Sequence, residues 1–340
     1  MLKRLLARRL LIGIVQLFGA SIVVFVIVRV LPADPATALL GTAVPPEQIE
    51  ALRKDLGLDK SIVEQYWIWL KDVFQGDLGR SLFTSNPVVD DLGHRLPATF
   101  ELILLSLFLS VGILVPLGIW TARRSRSIYG KALEKGTFAY GMLAGATPDF
   151  WVGLLLLFGF YSQLRWAPGP VGRLDLDVSA PKTVTGFLLI DSTIAGNWLA
   201  LKSAAAHLAL PVVTLTLVYG APLLKITRST MEKMLDTEFV QQARSAGLGD
   251  RTILRIAFKN SLPPVITLLA VVFGYVIGGA VLVEQVFSWG GLGQYAVQAI
   301  GNADFAAIQG FVLAATAITI FIYIVVDLLH YWLDPRIERR

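Results

Sequence analysis

The chain has 340 residues, 55% hydrophobic and only 16% charged, with a formal net charge of +5 and a mean hydropathy of +0.64. Soluble domains average about 45–50% apolar and about 25% charged residues, so this chain has too few charges to cover a water-facing surface of its size. That excludes a soluble enzyme, a disordered chain and a fibrous protein, and it leaves an all-α polytopic membrane protein.

There is no Cys, and the three His (His94, His207 and His330) lie far apart, so neither a thiolate site nor a metal motif is legible. The basic balance points to membrane topology rather than to nucleic acid. The partner expected from composition is the lipid bilayer.

A helix needs about 20 apolar residues to cross about 30 Å of hydrocarbon. Six stretches qualify: 10–30, 100–120, 138–164, 204–224, 262–287 and 305–330. Backbone facing lipid must pair with itself, so all six are read as helices; Pro116, Pro148, Pro211 and Pro222 are tolerated where neighbours re-pair the freed carbonyls. Segments 1–9, 121–136, 225–261 and 331–340 hold 19 Lys and Arg in 72 residues, against 10 in 125 for segments 32–97, 164–203 and 287–305. The positive-inside rule puts the first set, and hence both termini, in the cytoplasm. The chain divides into 1–97 (N-terminal helix and outer helical cap), 98–330 (transmembrane core) and 331–340 (cytoplasmic tail).

The first span follows Lys3, Arg4, Arg8 and Arg9, as a signal peptide would. It is longer than the usual h-region of about 7–15 residues and lacks an A-x-A-like site, so it reads as a retained span. The outer segment 32–97 is acidic, with 10 Asp and Glu against 6 Lys and Arg. Pro46 suits a first helical position and Gly57 an exit. Ser61 and Glu64 form a capping box before Tyr66, Trp67, Trp69, Leu70, Val73 and Phe74, and Gly76 closes that helix. Asn86 and Pro87 predict a third short helix. The segment reads as a folded cap, and Tyr66, Trp67 and Trp69 also suit a docking surface for an extracytoplasmic partner.

In segment 164–203, Trp166-Ala-Pro-Gly-Pro is a turn cluster, and Asp191 is placed as the cap of a short helix running toward Trp198. Segment 225–261 is the longest inner one. Thr237 or Asp236 can cap a helix from Glu238 to Ala246. Gly247 fits the left-handed position beyond it, and Asp250 caps a second helix to Asn260. Such a helix–Gly–helix elbow is either an ordinary solvated loop or a rigid peg for a groove on a soluble protein. Trp289-Gly-Gly-Leu-Gly293 must bend sharply before the last span.

The run Gln241-Gln-Ala-Arg-Ser-Ala-Gly-Leu248, continuing to Asn260-Ser-Leu-Pro263, resembles the EAA loop of ATP-binding-cassette importer permeases, in the dipeptide, oligopeptide and nickel branch. Further matching pieces follow in order: Leu31-Pro-Ala-Asp-Pro35, Leu56-Gly-Leu-Asp-Lys60, Gly76-Asp-Leu-Gly79, Leu96-Pro-Ala-Thr-Phe-Glu-Leu102, Thr147-Pro-Asp-Phe-Trp151, Thr185-Gly-Phe-Leu-Leu-Ile-Asp191, Glu284-Gln-Val-Phe-Ser-Trp289 and Asp334-Pro-Arg336. Gln241 and Gln242 replace the pattern's Glu and first Ala, whereas Ala243 and Gly247 keep their places.

The resemblance implies a bacterial inner-membrane permease subunit that forms half of a path for di- or oligopeptides. It implies two ATP-binding subunits carrying ATP and Mg, a second homologous permease subunit and an extracytoplasmic solute-binding protein. No Gly-x-x-x-x-Gly-Lys-Ser/Thr occurs, so no nucleotide loop of that type is expected here. Glu238, Gln241, Gln242, Ala243, Arg244, Gly247, Leu248, Asn260 and Pro263 would form the ATPase-coupling loop. Polar residues in spans are costly and mark candidate function; Glu101, Asp149, Phe150, Glu284 and Gln285 are the candidates for the path. Most lie near span ends, where snorkelling or helix pairing also explains them. The other readings are a permease for nickel or another small solute, a proton-coupled secondary transporter, and a membrane-embedded enzyme. No nucleophile–base set supports the last.

Overall fold

The computed structural model describes residues 2–30, 37, 44–55, 57–125, 127 and 129–333. In chain order the helices are α1 (Leu2–Val30), α2 (Pro46–Asp55), α3 (Ile62–Phe74), α4 (Val88–Arg123), α5 (Gly130–Ala146), α6 (Asp149–Leu156), α7 (Leu188–Ile194), α8 (Trp198–Tyr219), α9 (Ala221–Leu235), α10 (Glu238–Ser245), α11 (Asp250–Phe287), α12 (Leu292–Gly301) and α13 (Phe305–Leu333). A π-helical stretch, Leu157–Gln163, continues α6. Among the described residues, five helices (α1, α4, α8, α11 and α13) are long and apolar enough to cross a membrane, and α5 with α6 forms a further crossing if the pair is taken together.

Five of the six expected crossings are single helices, and the sixth is a bent pair that counts as a crossing only if its halves are taken as one. The run 138–164 is interrupted at Thr147-Pro148, where the two halves bend by 104°. Pro148 cannot donate to the preceding turn, and it pushes Thr147 out of the helical region to φ −102°, ψ 125°.

Other boundaries also shift. Asn86 and Pro87 do not begin a separate short helix. The chain enters α4 at Val88 and stays helical through Pro97 for 36 residues, and the Asn86 amide instead donates to Asp91 at 3.2 Å. The span expected at 204–224 starts at Trp198, capped by Asn197 Oδ1 on the Ala200 N–H (3.0 Å), and breaks at Gly220. Gly220 is required there, since a Cβ would lie 2.2 Å from Leu114 Cδ1 and 2.4 Å from the Thr216 carbonyl. Asp250 is not a cap. Gly249 holds that position, and α11 runs unbroken for 38 residues through Pro263 and Pro264.

Two compact units partition the chain: residues 1–99 with 290–321, and residues 100–289 with 322–340. In the first, Val88 and Leu92 of α4 pack with Leu292, Tyr295 and Ala299 of α12 and Ala307 of α13. Thr99 Oγ1 accepts from the Leu292 N–H at 2.8 Å, which satisfies a donor at the start of α12. Fully buried Asp304 caps α13 through the Ala307 N–H and also accepts from Ser81 Oγ at 2.5 Å. In the second unit, α8 joins α4 through Thr216 Oγ1 on the Ser106 carbonyl (3.2 Å) and α5 through Tyr140 Oη on the Leu217 carbonyl (2.7 Å).

The sharp bend expected after α11 is present. Ser288 and Gly290 adopt φ 53° and 75°, and α12 then leads to α13. Of the resembling pieces, 31–35 and 334–336 lie outside the described residues, as does most of the expected tail.

Candidate functional site

The elbow of segment 225–261 consists of α10, its turn and the start of α11. Only Val240 of α10 is buried; Glu238, Gln241, Gln242, Arg244, Gly247 and Leu248 are exposed, Ala243 is half-buried, and Phe239 is 55% exposed. The turn has the expected chemistry. Gly247 sits at φ +78°, its N–H bonds to the Arg244 carbonyl at 3.0 Å, and the Leu248 N–H reaches back to the Ala243 carbonyl at 3.1 Å. Those bonds satisfy the last carbonyls of α10 and hold its exit angle. Thr237 holds the cap position of α10, although its hydroxyl donates to the Met234 carbonyl (2.8 Å) instead of capping. Asn260 donates to the Ile256 carbonyl at 2.9 Å, and Pro263 lies inside α11. The elbow thus presents an exposed, mostly polar face with a fixed hinge. Asp250 reaches Arg123 at 3.0 Å, but that pair is 55–73% exposed and contributes little.

Where α5 and α6 part, Asp149 begins α6 and is 8% exposed. One carboxylate oxygen accepts from the Tyr219 hydroxyl at 2.7 Å and the other from the Phe150 N–H at 2.7 Å. Gly279 of α11 permits this approach, because a Cβ there would lie 1.8 Å from Tyr219 Oη and 2.4 Å from Asp149 Oδ2. Three interruptions therefore meet: the break before α6, the end of α8 and a bare glycine on α11. They border a cavity of about 470 Å³ lined by residues including Asp149, Tyr219, Thr147 and Tyr275. Phe150, next in sequence, is 37% exposed and is not among the residues that line it.

The other candidates are dispersed. Glu101 is 3% exposed; its carboxylate accepts from Arg173 at 2.6 Å and from the Leu189 N–H at 2.8 Å, so it fastens segment 164–203 to α4. Glu284 is fully buried and Gln285 exposed, one turn before the bend at Ser288. Tyr66 is buried against Phe25 and meets Ser21 Oγ at 2.9 Å, and Trp69 packs on Phe25. Both thus hold α3 against α1, and of the three expected docking aromatics Trp67, at 58% exposure, faces outward.

Asp191 does not cap the helix ahead of it. It lies inside α7 and grips the preceding turn, accepting from the N–H groups of Val184, Thr185 and Gly186 and from Thr185 Oγ1. Burial alone would raise its pKa, but these hydrogen bonds stabilise the carboxylate more and hold it below its ordinary 3.8. A depressed folded-state value gives stability that is complete above the unfolded value and is lost as pH falls through the folded one. Asp191→Asn is therefore expected to flatten the loss of thermal stability as pH falls through and below the ordinary carboxylate value of 3.8, measured on purified protein in detergent. An unchanged acid profile would refute this role.

Sequence reading missed Tyr219, Gly279, Arg173 and Arg228. Arg228, 8% exposed, donates to Glu232 (2.8 Å) and Thr137 (2.7 Å). Only the Arg228–Glu232 pair carried a local signal, the i,i+4 spacing; the others depend on contacts between distant helices.

Five helices long and apolar enough to cross a membrane, a bent apolar pair and an exposed glycine-turned elbow fit a polytopic membrane protein of the transport-permease class. Residues 114–339 match the family of binding-protein-dependent transport system inner membrane components, and residues 1–103 match that family's N-terminal region. The chain belongs to this family and is a multi-pass inner-membrane protein.

It is 38% identical over 94% of its length, and 93% of the relative's, to the probable D,D-dipeptide transport system permease protein DdpB of Escherichia coli K12. It is 33% identical to the dipeptide transport system permease protein DppB of Alkalihalophilus pseudofirmus over 97% of this chain and 98% of the relative. It is also 33% identical to the di/tripeptide transport system permease protein DppB of Pseudomonas aeruginosa, over 98% of both chains.

Proposed function

We propose that this chain is one permease subunit of an ATP-driven importer of di- or oligopeptides, paired with a second homologous permease subunit. Two ATP-binding subunits, which hold ATP and Mg, would act on its elbow, and an extracytoplasmic binding protein would deliver cargo. The observation that carries this reading is the exposed elbow itself: a short helix, a left-handed Gly247 and the rigid start of a 38-residue membrane helix. A stroke applied to α10 is transmitted along α11 to the glycine beside Asp149.

The peptide class is supported by relatives that cover nearly the whole chain and are named for dipeptide transport. Those names do not favour nickel or a proton-coupled carrier. Both termini and the elbow are assigned to the cytoplasm from the placement of Lys and Arg. The organisation 1–97, 98–330 and 331–340 is retained as the functional division. Asp149 and Phe150 are assigned to the path, with Glu284 and Gln285 near its bend. Glu101 is assigned to fastening segment 164–203, and Trp67 to the outer contact surface.

The test is co-purification of tagged full-length chain with ATP-binding subunits, followed by uptake of a labelled dipeptide into vesicles. Gly247→Val is expected to abolish both while the protein still inserts. A β-branched residue in the left-handed region costs about 1–2 kcal/mol or more, and no atom lies within 4 Å of the new Cβ, so the damage is confined to the hinge. Full co-purification and uptake by Gly247→Val would refute the coupling role. Failure of the wild-type assembly to take up any peptide would refute the cargo class.

A further inference from the structure

We infer that the cavity beside Asp149 is a subsite for the ammonium group of the cargo, a free peptide amino terminus, and that the glycine-lined groove leading from it holds the extended peptide. This rests on the peptide reading above.

Asp149 is the only charged residue among those lining the cavity. It is more than nine-tenths buried, its described partners are one hydroxyl and one backbone N–H, and it forms no ion pair with Lys, Arg or His among the described residues. A buried carboxylate without a counter-charge is expensive, and an arriving cation removes that cost. The site is built to hold the carboxylate in place. Tyr219 fixes one oxygen, the first turn of α6 fixes the other, and bare Gly279 leaves room for both.

The space continues. A second cavity of about 520 Å³ shares Gly145, Val218 and Pro222 with the first. It runs past Gly141, and neither Gly141 nor Gly145 has any atom within 4 Å of an added Cβ. Among its lining residues Arg228 is neutralised by Glu232 and Glu134, whereas Lys225 is exposed and forms no ion pair among the described residues. Lys225 lies on α9, across the Gly220 break from Tyr219. The second cavity's two bases, Lys225 and Arg228, are matched by two acids, Glu134 and Glu232, so it is balanced in charge and offers room for the rest of the cargo.

The test measures equilibrium binding of alanylalanine and N-acetyl-alanylalanine to the complete assembly in nanodiscs, without the binding protein, alongside uptake of alanylalanine with it. Wild type is expected to prefer the free amine by about tenfold or more, the scale of a charge-assisted bond. Asp149→Asn should erase that preference, whereas Asp149→Glu and Tyr219→Phe should keep it, since both retain the carboxylate.

Equal affinity of wild type for the two peptides, an undiminished preference in Asp149→Asn, or a preference lost in Asp149→Glu overturns the subsite. Absence of alanylalanine uptake by the wild-type assembly overturns the peptide reading itself. Uptake with an unchanged amine preference in Asp149→Asn overturns the subsite alone.

Discussion

Replacing Arg173 by Met is expected to lower stability by about 3–5 kcal/mol, the cost of stranding a buried charge. Glu101 is 3% exposed, and its carboxylate is held by Arg173 at 2.6 Å. The Arg173 side chain is itself only 22% exposed, lies 5.7 Å over the Trp289 ring and reaches the Gly186 carbonyl at 3.4 Å. Met keeps much of the stem's volume but removes the charge and the donors. Glu101 is then left with the single Leu189 N–H at 2.8 Å.

Thermal unfolding in detergent should show the loss in Arg173→Met, and the double variant Glu101→Gln, Arg173→Met should recover most of it. That recovery separates a stranded carboxylate from lost packing. A double variant no better than the single one would refute the explanation. Segment 164–203 should also become open to limited proteolysis in the single variant, because one of its two attachments at Glu101 is lost.

Gly279→Ala is expected to reduce peptide uptake by about tenfold or more while costing about 1–3 kcal/mol of stability, the usual range for overpacking. The methyl group would meet the Tyr219 hydroxyl at 1.8 Å and Asp149 Oδ2 at 2.4 Å. Both are ends of side chains that can swing away, so the backbone need not move far. The swing breaks the 2.7 Å bond between them and fills the site where α6, α8 and α11 meet. Function should therefore fall more than stability. Steady-state uptake and thermal unfolding of the same preparation measure the two effects. Unaltered uptake, or unfolding without any separate transport defect, would refute the assignment. Ala at Gly278 is the control: it is adjacent on α11, yet an added Cβ there meets nothing within 4 Å.

The resemblance to an importer permease was legible because its signals are local. A run of 20 apolar residues, a Ser three positions before a Glu and a Gly closing a polar helix each act within one or two turns. Ser61 accordingly accepts from the Glu64 N–H at 3.3 Å, and Gly57, Gly76 and Gly247 all take positive φ. Helix ends depart from expectation where a local breaker meets a continuous apolar face. Pro97, Pro263 and Pro264 stay inside helices because one lost backbone bond is outweighed by burial on either side. Pro148 ends its helix because the chain can turn there onto Tyr219 and Gly279.

What the sequence determined by itself is the membrane class, the long apolar stretches and the glycine hinge of the elbow, since hydropathy and left-handed backbone are properties of a residue and its near neighbours. What only the tertiary structure decided is the identity of the charged sites. Arg173 lies 72 positions from Glu101, and Tyr219 lies 70 from Asp149. Nothing in their flanking residues marks either pair, because a buried charge is defined by whatever distant helix the fold brings to it.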